Sequence, residues 1–485
     1  MTNSNEDKND NYSYTEVNQK LVYQFENGDE NWVKTVPKIG IRHLQVFIYF
    51  MLGFLAFGFR VTLSVGIVAM TDPKTSINPD IPTYPEWTNK NVILSSFFWG
   101  YIVPQLFAAW MAKKYGPKWF LIGSAIMQSI LFILMPITAA YFGSTGVIVS
   151  RILQGLSQGF IFPSFAYLLC QWVPIEERAR LGSAVFAAGK LGTVFSMLIT
   201  GVISASWYGW PMVFYVFGGL GFLWCFLMGF LGYDSPDDHP SISMEEKKYI
   251  ESSLGKTETT AKHEKTPWKG ILSSFPVWAL LLAQTGNNYC FWTLVTQIPT
   301  YMNYVMHFNI KKNSLLSSIP YLTLWILSFV FGIISDALVN KGILKRSFSR
   351  KFFNSIGLLV PAVALICLGY TEAGNNAQAV ILLIIAVGFN GACFSGFAIN
   401  HMDLSPNHAG SVMGICNAAS QVAGALAPLI VQLIVSDETN IIQWRYVFLL
   451  SAGVNTFCAL AFIIFGSGKP QPWDKEESNE NTTEA

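Results

Sequence analysis

Three basic side chains lie inside long apolar runs, where burial of a basic side chain at the centre of a bilayer costs about 2.5–3.5 kcal/mol. They are Arg60, Arg151 and Lys190. No Asp or Glu occurs at comparable depth in any of these runs. A snorkelling or purely structural cation is one reading of each residue. Three together without a carboxylate favour a different chemistry, the binding of an anionic ligand in a water-filled cavity.

Uncharged polar residues accompany these cations. Gln158 follows Arg151 by seven positions, about two helical turns, and therefore lies on the same helical face. A second polar patch contains Asn287 and Asn288. Amides within a membrane either join helices or bind ligands, and both roles remain open for this patch.

The same runs do not contain the groups that an enzyme would need. Catalysis at this depth would require an acid–base pair, an activated nucleophile or a set of metal ligands. The sequence has no deep carboxylate and no deep histidine pair, and its seven cysteines lack metal-binding spacing. We therefore predict that the protein is not an enzyme and has no cofactor and no metal site.

The elements that position the cations must be membrane helices. Only 13% of the 485 residues are charged and 52% are hydrophobic, against about 25% charged in soluble proteins. Unpaired backbone groups are costly in hydrocarbon, so uncharged runs of about 20 residues are predicted to be spanning helices. With 31 basic and 30 acidic residues, nothing indicates a nucleic-acid partner.

The apolar runs predict an all-α membrane protein with twelve transmembrane helices. They fall near residues 42–70, 91–112, 117–141, 146–172, 179–204, 210–233, 275–303, 315–338, 353–371, 377–400, 409–434 and 444–466. The predicted organisation is a cytoplasmic tail (1–41), a six-helix half (42–233), a cytoplasmic central loop (234–274), a second six-helix half (275–467) and a cytoplasmic C-terminal tail (468–485).

The orientation is predicted from the excess of Lys and Arg in short cytoplasmic loops. With the N-terminus inside, one side carries Lys113, Lys114, Lys118, Arg178, Arg180, Lys341, Lys345, Arg346, Arg350 and Lys351. The other side carries Lys74, Lys90, Lys311 and Lys312, with Arg445 at the mouth of the last helix. Both termini are therefore expected in the cytoplasm.

The two halves also resemble each other in sequence. The segment 93–97 that opens the second span is echoed by 315–319 at the eighth, and the exit that contains Gly116 and Lys118 is echoed by the exit that contains Asp336. Parallel six-helix repeats are the plan of the major facilitator superfamily, whose substrate site lies near the midplane between the halves.

Nine short motifs, in order along the chain, resemble one family within that superfamily. They are the Arg60 segment, 95–101 with Gln105, 151–163, 172–178, 191–193, 292–301, 400–406, 414–417 and 466–473. The chain resembles the anion:cation symporters, which include sialin, the vesicular glutamate transporters and the sodium–phosphate cotransporters. The resemblance covers roughly residues 41–473.

The resemblance implies roles for individual residues. Arg60 matches an arginine linked to anion binding, and Arg151 matches one in the same cavity. Expected substrate contacts are Arg60, Arg151, Lys190, Gln158, Tyr101, Asn287, Asn288 and Asn417. Expected structural or gating residues are Gly116, Lys118, Asp336, Asn400, His401 and Asp403. For His401, at the end of the tenth span, packing and capping is the favoured role.

Three departures from the family pattern concern charge. Gln158 stands where the family usually has a glutamate associated with proton coupling, Lys190 where it has a glutamine, and Asn287 where the glutamate transporters have an arginine. A neutral amide carries no titratable proton, so the resemblance implies a cavity that is more positive and less protonatable than those of its relatives.

The resulting expectation is secondary active transport of a small organic or inorganic anion, such as phosphate or sialic acid, by alternating access. Symport with sodium or protons is the main reading. A facilitated carrier driven by membrane potential and a transporter-like sensor without turnover remain alternatives. The expected location is the plasma membrane or an endolysosomal or vesicle membrane.

Overall fold

A computed structural model describes residues 39–75, 77–105, 108–254, 267–372, 375–405 and 408–474. All regular structure in these ranges is helical. The α-helices are α1 (Ile41–Thr71), α2 (Lys90–Gln105), α3 (Ala108–Tyr115), α4 (Pro117–Ile133), α5 (Met135–Gln158), α6 (Ile161–Trp172), α7 (Ile175–Ser204), α8 (Gly209–Leu231), α9 (Met244–Ser253), α10 (Trp268–Ser273), α11 (Phe275–Tyr304), α12 (Ile310–Asn340), α13 (Arg346–Gly369), α14 (Asn376–Gly388), α15 (Phe397–Leu404), α16 (Ala409–Ile434) and α17 (Ile441–Phe465).

The prediction of a twelve-helix membrane protein is confirmed. Nine stretches among the described residues are long and apolar enough to cross a membrane. The remaining predicted spans correspond to α2 with α3, to α4 with the start of α5, and to α11. The third and fourth spans meet inside α5 at Gly143, whose positive φ of 59° reverses the chain there. The tenth span consists of α14, a 3₁₀ segment (Phe389–Phe394) and α15.

Two close helix contacts place the basic side chains. A Cβ atom at Gly155 would collide with the carbonyl oxygen of Phe97, so α5 packs directly on α2 near Arg151. A Cβ atom at Gly192 would likewise collide with the carbonyl oxygen of Phe54, which brings α7 against α1 near Lys190. Small residues permit this backbone approach between membrane helices. All three cations are therefore held on closely packed helices of the first half.

The two halves meet along pairs of helices. In the described structure α7 packs on α12, α2 packs on α16, and α1 contacts α11. We call the end that holds residues 39–40, 232–254 and 466–474 the near end. The end that holds the loops 72–89, 205–208, 305–309 and 435–440 is called the far end.

At the near end, the central segment is attached to the first half. Glu246 of α9 is 1% exposed and accepts hydrogen bonds from the backbone N–H groups of Ile41 and Arg42. The Arg42 guanidinium forms ion pairs with Glu246 at 2.9 Å and with Glu177 at 2.8 Å. These contacts fix the start of α1 relative to α7 and α9.

Some of the sequence predictions lie outside the described residues. These are the tail before residue 39, the part of the central loop at 255–266, Pro406 and the tail after residue 474. The predicted domain limits remain predictions.

Candidate functional site

Arg60 and Gln158 form a buried pair between α1 and α5. Arg60 is 4% exposed, and its Nε and Nη2 atoms donate to the Oε1 atom of Gln158 at 3.1 and 2.9 Å. The amide nitrogen of Gln158 donates in turn to the carbonyl oxygen of Ala56 at 2.8 Å. Gln158 thus orients the guanidinium without neutralising its charge.

Aromatic rings surround the Arg60 guanidinium. Its central carbon lies 4.2 Å from the ring centroid of Tyr101, and within 6.0 Å of four further rings. These four belong to Phe57, Phe97, Phe98 and Trp292. Ring faces attract a cation, so they support the charge while leaving it available to an anion. Trp292 belongs to the second half of the chain, which places Arg60 at the boundary between the halves.

Arg151 lies directly behind Arg60. It is 2% exposed, and its Nη atoms donate to the carbonyl oxygens of Phe59 and Arg60 at 3.3 and 3.2 Å. Nη1 also donates to the Oε1 atom of Gln154 at 3.0 Å. These bonds tie α5 to the backbone of α1. The geometry therefore gives Arg151 a supporting position, with its charge adding to the potential around Arg60.

Lys190 lies on the other side of Phe57. Its ammonium nitrogen is 3.9 Å from the ring centroid of Phe291, 5.4 Å from that of Phe394 and 5.7 Å from that of Phe57. It makes no hydrogen bond or ion pair with the rest of the described structure. Phe291 and Phe394 come from the second half, so this cation also faces the boundary between the halves.

The three cations form one positively charged region. Each guanidinium carbon is 4.8 Å from the Phe97 ring centroid, and both Arg60 and Lys190 lie near Phe57. None of the ion pairs among the described residues includes any of the three. In a low-dielectric medium such mutual repulsion is relieved by a counter-charge. The arrangement can therefore hold a small anion between the halves.

The predicted amide ligands lie elsewhere in the second half and are engaged with neighbouring helices. The Nδ2 atom of Asn288 donates to the carbonyl oxygen of Ser420 at 2.6 Å, and the Oδ1 atom of Asn287 accepts from Asn390 at 2.6 Å. Asn417 donates to Gln105 across the boundary at 3.4 Å. Of the two roles considered for these amides, joining helices and binding a ligand, the contacts in this state favour the joining of helices.

The predicted structural residues lie toward the near end. Gly116 has a φ of 77°, and the N–H of Lys118 donates to Asp234 at 2.7 Å. Asn400 donates to the carbonyl oxygen of Ser467 at 2.8 Å, and Asp403 forms an ion pair with Arg350 at 2.6 Å. His401 is buried at 7% exposure, whereas Asp336 is exposed. These contacts are structural, and none of them reaches the cations.

Polar contacts join the two halves at the far end. Lys90 forms an ion pair with Glu438 at 2.7 Å and donates to the hydroxyl of Tyr304 at 3.3 Å. Asn303 donates to Asp72 at 3.2 Å, and Gln297 donates to Asn91 at 2.6 Å. We call this set the far-end contacts. They hold the halves together on that side in the state described here.

Loss of the Lys90–Glu438 ion pair should shift the protein toward the state that is open at the far end. In Glu438→Gln we expect faster labelling of a cysteine placed at Thr296 by a thiol reagent supplied from the far side, because the lost attraction favours separation of the halves there. The matched control is Asp237→Asn, which removes the partly exposed Lys247–Asp237 pair at 2.9 Å. Equal labelling in both variants would show that the ion pair does not control opening.

The aromatic residues of the site are not predictable from the sequence. Phe57, Phe291 and Phe394 surround the cations, yet the chain contains 37 Phe. With so many phenylalanines in lipid-facing and core positions, no local pattern distinguishes these three. Phe97, Phe98 and Trp292 belong to the family motifs 95–101 and 292–301, which give no sign that these rings face a cation.

Comparisons with known proteins identify the family of this chain. The profile of the Major Facilitator Superfamily matches residues 46–428. A Drosophila melanogaster protein named "Putative inorganic phosphate cotransporter" is 37% identical over 463 residues, which cover 90% of this chain and 87% of that protein. Human sialin is 35% identical, with coverage of 87% and 88%. Human vesicular glutamate transporter 2 is 35% identical, with coverage of 88% and 75%.

Solved structures share the fold at low sequence identity. A D-xylose–proton symporter superposes with a TM-score of 0.66 at 15% identity, covering 88% of this chain and 98% of its own. A bacterial homologue of the human lysosomal transporter Spinster gives a TM-score of 0.65 at 12% identity, with coverage of 90% and 97%. The chain therefore belongs to the major facilitator superfamily, in the anion:cation symporter group that includes sialin and the vesicular glutamate transporters.

Proposed function

We propose that this protein is a secondary transporter that moves a small organic or inorganic anion across the membrane by alternating access, in symport with a cation. The observation that carries the proposal is a group of three cations within the membrane helices, the buried Arg60 and Arg151 and the partly buried Lys190, without a carboxylate partner in the described structure. The names of the relatives, a phosphate cotransporter, sialin and glutamate transporters, support an anionic substrate.

Within this proposal, Arg60 makes the main contact with the anion. Its guanidinium is oriented by Gln158 and faces Trp292 of the second half. Lys190 provides a second charge, and its ammonium group has aromatic rings as neighbours in place of hydrogen-bond acceptors. An anion that enters between these cations would replace cation–π contacts with stronger charge-assisted hydrogen bonds.

The position of the cations beside residues of the second half supports alternating access. The aromatic residues Trp292, Phe291 and Phe394 contact cations of the first half, so relative motion of the halves changes the surroundings of the anion. The far-end contacts close one side of the protein, and rocking of the halves would open that side.

The test is uptake into proteoliposomes that contain the purified protein. Radiolabelled phosphate, sialic acid, urate, glutamate and a dicarboxylate are supplied one at a time, with sodium gradient, proton gradient and membrane potential imposed separately. We expect concentrative uptake of at least one anion that depends on an imposed cation gradient. Uptake driven by potential alone would identify a facilitated carrier, and binding without uptake would identify a sensor.

The proposed setting is the plasma membrane or an endolysosomal or vesicle membrane, with both termini in the cytoplasm. The excess of Lys and Arg in the loops of the near end supports this orientation. The near end would then face the cytoplasm, and the far end the outside or the lumen.

A further inference from the structure

A stripe of uncharged polar side chains lies between α11 and α17, within the second half. We call it the polar seam, and it consists of Thr285 and Tyr289 on α11 with Ser451 and Asn455 on α17. Within each helix the two residues are four positions apart and share a face. Gly286 brings the helices together, because a Cβ atom there would lie 2.9 Å from that of Cys458. The seam lies near the middle of both helices.

The polar atoms of the seam are buried and lack partners. Ser451 and Asn455 are 0% exposed and Tyr289 is 5% exposed. Within the described structure, no partner meets hydrogen-bond geometry for the hydroxyl oxygens of Thr285, Tyr289 and Ser451 or for either amide atom of Asn455. The hydroxyl of Tyr289 approaches Ser451, and Asn455 approaches the thiol of Cys290. Four of these five atoms are oxygens.

Neighbouring hydroxyl groups behave differently. Thr293 and Thr456, which flank the seam on the same two helices, donate to the carbonyl oxygens of Tyr289 and Ala452 four residues earlier, both at 2.8 Å. This local bond is the usual way in which a helical hydroxyl group is satisfied within a membrane. Thr285 and Ser451 lack this bond, so their oxygens remain available to a ligand.

The chemistry of these oxygens indicates the kind of ligand. Unpartnered polar atoms in the middle of a membrane are costly, and hydroxyl and amide oxygens are ligands for hard cations. A divalent ion would need carboxylates, and the described parts of α11 and α17 contain none. Sodium ions, in contrast, are bound by neutral oxygens in other secondary transporters.

We propose that the polar seam binds the sodium ion that is coupled to anion transport. The inference rests on the proposed function, because it assigns the coupling cation of that same cycle. Tyr289 lies within one helical turn of Phe291 and Trp292, which contact Lys190 at 3.9 Å and Arg60 at 5.2 Å. The three fixed cations disfavour a sodium ion nearby until an anion offsets their charge. Each ligand therefore increases the affinity for the other, by the same factor.

The experiment uses two readouts on the full-length protein. The first is uptake of the best anion from the substrate screen as a function of external sodium at clamped potential. The second is binding of ²²Na⁺ to purified protein in detergent, with and without phosphate or sialic acid at about 10 mM, which is above the typical KM range of transport and enzyme substrates. The variants are Ser451→Ala, Asn455→Leu and Asn455→Asp, and Thr456→Ala is the matched control.

We expect Ser451→Ala and Asn455→Leu to raise the half-saturating sodium concentration about tenfold or more, with near-normal uptake at saturating sodium. Asn455→Asp should lower that concentration at pH 8, an effect that a purely structural residue would not produce. Thr456→Ala should match the wild type.

Sodium-independent uptake by the wild type, or equal sodium dependence in all variants, would overturn the sodium site while leaving anion transport intact. The seam would then hold ordered water only. If no anion is taken up, the proposed function fails, and the ²²Na⁺ binding still decides the site. Loss of that binding in Ser451→Ala but not in Thr456→Ala supports the site, and absence of binding in the wild type refutes it.

Discussion

Arg60→Ala is expected to abolish anion uptake. The substitution removes the guanidinium that faces Trp292 and the boundary between the halves. Charge-assisted hydrogen bonds contribute about 1.5–3 kcal/mol each, and 1.4 kcal/mol corresponds to about tenfold in affinity. We therefore expect uptake at sub-saturating substrate to fall about 100-fold or more. The measurement is initial uptake into proteoliposomes, normalised to reconstituted protein.

The fold should tolerate this substitution. In Arg60→Ala the Oε1 atom of Gln158 loses its donors, but the Nε2 atom keeps its bond to Ala56. One unsatisfied acceptor costs about 1–3 kcal/mol, and removal of a buried charge offsets part of this cost. Arg445→Ala is the control, because that arginine binds the carbonyl oxygen of Gly369 at the far end. Normal uptake by Arg60→Ala, or its failure to fold, would contradict a ligand role.

Uptake by the wild type should not depend strictly on a proton gradient. Proton coupling needs a group whose protonation changes during the cycle, usually a membrane carboxylate. Gln158, where the family resemblance leads us to expect an acid, is an amide whose Oε1 atom accepts hydrogen bonds from Arg60. Lys190 is the remaining candidate, and a bound anion favours its charged form. The measurement is uptake with an inward proton gradient, at clamped potential and without sodium. Under these conditions we expect an uptake rate less than about a tenth of the sodium-driven rate.

Gln158→Glu provides the complementary variant. A glutamate there would face the Arg60 guanidinium, which now lies 2.9 Å from the Oε1 atom of Gln158, and would add a titratable carboxylate to the cation group. We expect this variant to acquire uptake driven by a proton gradient. Gln154→Glu is a control, because its side chain contacts Arg151 and not Arg60. Robust concentrative uptake by the wild type under the proton gradient alone would refute the argument.

The fold and the identity of the cations could be predicted from the sequence, because the underlying physics is local. Backbone groups in hydrocarbon must be paired within their own segment, so uncharged runs separated by polar loops predict spanning helices at the right places. A charge in such a run is costly, so Arg60, Arg151 and Lys190 were recognisable without knowing their neighbours. The family resemblance likewise follows from motifs of a few residues each.

The partners of those cations were decided by the tertiary structure. Gln158 was expected on the face of Arg151, yet its side chain binds Arg60 of another helix. The contact of Arg151 with the ligand stays a prediction, and the tertiary structure adds that its Nη atoms bind the backbone of α1 while its Nε atom has no partner among the described residues. An arginine side chain can reach several neighbouring helices, and the close approach of α2 and α5 at Gly155 selects among these possibilities.

The aromatic surroundings of the site and the polar seam depend still more on packing. Phe291 and Phe394 are distant from Lys190 in the chain and meet it only because the two halves face each other. Thr285 and Asn455 are ordinary residues of apolar helices, and the pairing of α11 with α17 leaves their polar atoms buried with no hydrogen-bond partner in the part of the chain that the structure describes. The sequence by itself determined which side chains carry charge in the membrane, since that depends on composition along single helices. The tertiary structure alone decided what surrounds them, since contacts between halves depend on how helices far apart in the chain pack together.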